Sequence, residues 1–74
     1  MSPDEKLIYM ANQIAAFFAA QGRDKAIAGV ADHLKRFWEP HMRARLLELA
    51  PEHRLELSPY VREALPFLTP KAKP

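Results

Sequence analysis

The sequence contains no cysteine and only two glycines. Without thiols the chain forms no disulfide and presents no thiolate to a metal, and with so little glycine it has neither a phosphate-cradling loop nor a nucleophile elbow. No apolar run approaches the roughly 18 residues a membrane span needs. A charge excess of one sign is also missing: 11 lysines and arginines stand against 9 aspartates and glutamates, a formal +2. Part of that excess is Lys71 and Lys73 near the carboxyl end. Such a balance does not make a nucleic-acid footprint. The opening MSPDEK places acids where a secretory signal carries positive charge, so the expected location is cytoplasmic.

What is present is 49% apolar content in 74 residues. That is enough for one small domain, but a chain of this size buries only about 60% of its unfolded surface. Reinforcement then has to come from regular helix packing or from a partner.

The chain is organised around GVADHLKRFWEPHMR, Gly29 to Arg43, which holds the single tryptophan and then meets a proline. At helical spacing Ile27, Val30, Ala31, Leu34, Phe37 and Trp38 share a core face, and Asp32, Lys35, Arg36 and Glu39 oppose it. Asp32 precedes Arg36 by four, the orientation that supports a helix. Pro40 ends or kinks the helix at Glu39.

Upstream, Ser2, Pro3, Asp4 and Glu5 form a helix start with a capping box. The first helix is expected to turn Leu7, Met10, Ile14, Phe17 and Phe18 inward and to stop near Gln21 and Gly22. Arg23 and Asp24 make a short connection, with Asp24 a cap for the second helix from Lys25 to about Glu39, so the two helices form an antiparallel hairpin. Gly29 costs this helix about 1 kcal/mol against alanine; with His33 and Arg36 it lines a side strip, as a tolerated blemish or as room for another helix.

A third helix is expected from Pro40 to about Ala50, with Met42, Leu46, Leu49 and Ala50 inward. Arg43 then lays its stem over the core or pairs with Asp32 or Glu39. PEHRLEL reads as a loop anchored by Leu55 and Leu57. Ser58 and Pro59 open a short fourth helix to about Leu65, closed by Pro66, after which Phe67 and Leu68 reach back to the core or to a partner. The expected fold is all-α, a small bundle of three main helices plus a short C-terminal helix, one domain over residues 1–68 with a disordered tail over 69–74.

From Leu7 to Gln21 no residue is charged. The face turned away from the expected core holds Ile8, Tyr9, Asn12, Ala16, Ala19 and Ala20. Alanine is the best helix former, so a quiet surface accounts for this face; a second protein interface accounts for it equally. A membrane-surface helix would carry lysine and arginine there.

Catalytic and metal constellations are lacking. His33 and His41 stand eight apart across a proline, not three or four apart on one helix face. Asp32 and Glu39 each have a basic neighbour and read as solvated ion pairs. Arg36, Arg43 and Arg45 invite comparison with helix-turn-helix domains, but acids interrupt them and no recognition helix emerges.

Two runs, EKLIYMANQIAAFF and GVADHLKRFWEPHMRARL, resemble the delta subunit of NAD-dependent formate dehydrogenase. The most specific elements are Met10, Ala11, Asn12, Gln13 and Ile14 in the first run and Ala31, Asp32, His33, Phe37, Trp38, Pro40, Met42 and Arg43 in the second. The resemblance extends loosely over almost the whole chain. It implies a subunit or assembly factor without a cofactor, accompanying a large molybdenum formate-oxidising subunit and its flavin and iron-sulfur partners, in an enzyme that passes electrons from formate to NAD. Together these readings predict a non-catalytic accessory protein with no catalytic, cofactor or metal residues. Its partners are formate dehydrogenase subunits, the large molybdenum subunit foremost, with neither nucleic acid nor membrane among them and self-association left open. The expected interface is Tyr9, Asn12, Gln13, Ala16, Ala20, His33, Arg36 and Arg43. The alternative is a small nucleic-acid-binding or regulatory helical module.

Overall fold

The computed structural model describes residues 1–68, and over these it holds four α-helices and no strand. The expectation for residues 69–74 lies outside the described residues. Helix α1 is Pro3–Phe18. It starts where the sequence predicts: Ser2 Oγ accepts from the Glu5 amide at 3.1 Å and Glu5 Oε1 accepts from the Ser2 amide at 2.9 Å. Two donors at the helix end are thereby satisfied.

After α1 a 3-10 turn, Ala19–Gln21, leads to Gly22 at φ +97°, a conformation that side-chain-bearing residues rarely adopt. Helix α2, Arg23–Phe37, begins directly after it. Gly22 therefore takes the cap position expected for Asp24, and its carbonyl accepts from the Ala26 amide at 2.8 Å. Asp24 sits inside the first turn instead, where its charge favours the helix dipole.

The core supports the expected role of Trp38, which is 6% exposed, and of Ile27, Val30, Ala31 and Leu34. Leu34, Leu46, Val30 and Val61 are its most enclosed large side chains. Phe37 departs from expectation at 70% exposed. The chain leaves α2 at Trp38 with extended backbone, φ −89° and ψ 142°, and this swings the indole inward to take the space at that level.

Helix α1 is rotated from its expected setting. Ile8, Ala11 and Ala15 are buried, Leu7, Ile14 and Phe18 pack at the edges, and Met10 and Phe17 are exposed at 40% and 76%. Small residues at the contact let the α1 backbone approach the neighbouring elements, and the larger apolar side chains straddle that line. Ile8 had been assigned to the outside; its burial follows from the same rotation.

Helix α3 is Pro40–Leu49, with Leu46, Leu49 and Ala50 buried and Met42 half-buried, as expected. Glu39, where the helix is expected to end or kink, is extended at φ −68° and ψ 151°. Arg43 is half-buried and does not pair with Asp32 or Glu39. Its guanidinium donates to the carbonyls of Leu34 (3.1 Å), Lys35 (3.2 Å) and Trp38, at the end of α2. The Leu34 carbonyl also accepts from the Trp38 amide at 3.3 Å, so the guanidinium adds to the last helical bond as it caps this end, where a cation is favoured by the dipole.

Residues 51–57 form successive turns in which the amides of Glu56 and Leu57 bond back to the His53 carbonyl. That path buries Leu57 but leaves Leu55, an expected anchor, 99% exposed. The short helix α4, Pro59–Ala64, is capped by Ser58 Oγ and continues into a 3-10 turn, Leu65–Phe67. Leu65 is buried and Leu68 half-buried, whereas Phe67 is 60% exposed. Helix α2 makes its most extensive contacts with α4 and α1, so the central element predicted from sequence is central in the fold.

Candidate functional site

The eight expected interface residues separate into three groups. Tyr9, Gln13, Ala16 and Ala20 are all exposed; the first three lie along one outward strip of α1, and Ala20 follows in the 3-10 turn. His33 and Arg36 lie on α2. His33 is half-buried between aromatic rings, and Arg36 Nε donates to Asp32 Oδ1 at 2.9 Å. Asn12 and Arg43 are committed inside the chain. The Asn12 amide donates to the Glu56 carbonyl and its oxygen accepts from the Ser58 amide, both at 2.8 Å. It thus ties α1 to the turns before α4, and Arg43 caps α2.

A row of rings crosses the seam between α1 and α2. Phe17 meets Phe18 edge-on with centroids 5.2 Å apart, Phe18 lies 6.4 Å from the His33 ring, and His33 lies 4.7 Å from Phe37. Gly29 makes the row possible. A Cβ there would stand 2.6 Å from Phe18 Cδ1, so the missing side chain is the space the ring occupies. The open alternatives for Gly29 are resolved as close approach. Exposed Phe17 and Phe37, the members sequence reasoning had placed in the core, form the ends of the row.

The signal for this was in the sequence. Counting about 100° per residue, the apolar arc of α1 from Phe17 and Met10 through Phe18 to Ile8 covers half the helix, wider than a core stripe requires. The excess is the exposed strip.

Two other apolar features lie away from the seam. An open groove of about 700 Å³ has a floor of Ile27, Ala28 and Ala31 and a wall of Pro66 and Phe67. Its three rim carboxylates face two arginines and a lysine: Asp24 and Glu63 pair with Arg23, Asp32 pairs with Arg36, and Lys35 also lines the groove. A shallower hollow runs beside Ala16 and Ala19 under Leu55 and Tyr60. The three histidines lie apart, on α2, on α3 and in the 51–57 turns, where His53 Nδ1 contacts Glu56. Among the described residues no three histidines, aspartates or glutamates gather as a metal site. No described helix is long and apolar enough to cross a membrane.

Fold and surface together define a small all-α module with apolar side chains left on several outer faces. The family model for the NADH-dependent formate dehydrogenase delta subunit FdsD matches residues 6–65, and the chain belongs to that family. No curated protein and no solved structure matches it.

Proposed function

We propose that this chain is a non-catalytic accessory subunit or assembly factor of a cytoplasmic molybdenum formate dehydrogenase and works through protein contacts, the large molybdenum subunit being its partner. The observation that carries the reading is the family match over residues 6–65. What supports the mode of action is the outer side of α1 and the turn after it, uncharged from Leu7 to Gln21 and solvent-exposed at Tyr9, Gln13, Ala16 and Ala20. A charge placed there would have to be desolvated without a mate on docking.

Ala16→Glu tests this. Ala16 is exposed, and surface substitutions usually lie within about 0.5 kcal/mol, so the variant melts with the wild type. It is expected to lose co-purification with tagged dehydrogenase subunits. Full retention of a folded Ala16→Glu protein in the complex would remove that face from the proposal.

A further inference from the structure

We infer that the aromatic seam between α1 and α2 receives an acid-flanked amphipathic helix of a formate dehydrogenase subunit. This rests on the accessory-subunit reading and adds the site and the chemistry of its occupant. Exposed Phe17 and Phe37 end the ring row with half-buried Phe18 and His33 between them, and exposed Met10, one turn before half-buried Ile14, continues the same edge of α1. A ridge on each side of a packed floor is the shape a helix with apolar residues at i, i+4 and i+7 fills.

Charge selects the occupant. Lys6 lies one turn before Met10 on the same outward strip of α1, and Lys25 lies one turn before Gly29 on α2, so in the antiparallel hairpin they stand at opposite ends of the seam. Arg36, three residues after His33, borders it along α2. Among the described residues of α1 and α2, the carboxylate on that border is Asp32, already paired with Arg36 at 2.9 Å. Three cations thus face one acid, while Glu39 belongs to the corner beyond the seam. A second copy of this chain would bring the same excess of positive charge against itself. A segment bearing aspartate or glutamate beside its apolar stripe is attracted instead. The groove at Phe67 offers no such preference, because its three carboxylates are balanced by Arg23, Arg36 and the lining Lys35.

The test places a photo-crosslinking phenylalanine analogue at position 17, and separately at 55 and 67, in chains produced together with the formate dehydrogenase subunits; cross-linked peptides are then sequenced. Position 17 is expected to label a dehydrogenase segment with helical apolar spacing and flanking acids. In parallel, Lys6→Glu combined with Lys25→Glu should cut capture of the dehydrogenase by about tenfold or more. Lys35→Glu, on another side of α2, should leave it within about twofold. Labelling of a second copy, of a segment without acids, or of dehydrogenase only from 55 or 67 overturns the inference and leaves the accessory role standing. Absence of any dehydrogenase label from all three positions counts against the accessory role itself. Circular dichroism of each variant establishes that loss of capture is not loss of fold.

Discussion

Gly29 occupies a place where a methyl group has no room. Converting it to alanine would return about 1 kcal/mol of helix propensity, but the new Cβ falls 2.6 Å from the Phe18 ring. Overpacking costs about 1–3 kcal/mol, so Gly29→Ala is expected to lower the urea midpoint despite the better helix former. A higher midpoint would mean the ring yields freely. Trp38 makes the opposite case. It is 6% exposed and fills the space at the end of α2, so Trp38→Ala should cost about 3–5 kcal/mol. That rivals the whole stability expected of so small a core. Loss of helical circular dichroism is the expected result, and an unchanged melting temperature would place the indole outside the core.

Helix α3 is held to the start of α1 by a two-pronged contact: Arg45 Nε and Nη2 donate to Asp4 Oδ1 and Oδ2 at 3.0 and 2.8 Å. The Arg45 hydrogen bond holds the Asp4 carboxyl below its ordinary value, and the bond from the Ser2 backbone does the same for Glu5. Both groups have lower values folded than unfolded, so their contribution is complete above the ordinary carboxylate range, about 4. It is lost as pH falls through the folded values. Urea midpoints measured from pH 6 to pH 2 should decline on that limb, and Arg45→Met should flatten it by removing Asp4's share. An unchanged limb in the variant would show that Asp4 gains nothing from the pair. Element positions were legible in the sequence because caps, prolines and Gly22 are local signals: the other boundaries lie within about two residues of expectation, and α1 gives way to a 3-10 turn after Phe18 before reaching the expected stop at Gln21. Helix rotation was not. An arc of apolar residues covering half of α1 leaves its phase undetermined until neighbouring helices choose the alanine line, which is why Ile8 exchanged places with Met10 and Phe17.

For the molecule as a whole, side chains that could have served a partner were partly spent on the fold. Asn12 and Arg43 carried interface expectations, yet each bonds backbone groups of another element, Asn12 more than forty residues along the chain and Arg43 across the α2–α3 corner. No spacing rule reveals such long-range partners, whereas the uncharged strip through Tyr9, Gln13, Ala16 and Ala20 needed only helical geometry. The accessory reading also predicts that the isolated protein oxidises no formate and retains no metal. Elemental analysis after dialysis against a chelator checks the second point. Stoichiometric molybdenum, iron or zinc would contradict it.

The Arg43 contact couples the end of one helix to the winding of the next. The Lys35 and Trp38 carbonyls at the end of α2 are met by a guanidinium encoded five to eight residues later, and the corner itself contributes one donor fewer because Pro40 has no amide hydrogen. This cap exists only while α3 is wound far enough to bring Arg43 back across the corner, so loosening of α3 is expected to fray the last turn of α2 as well.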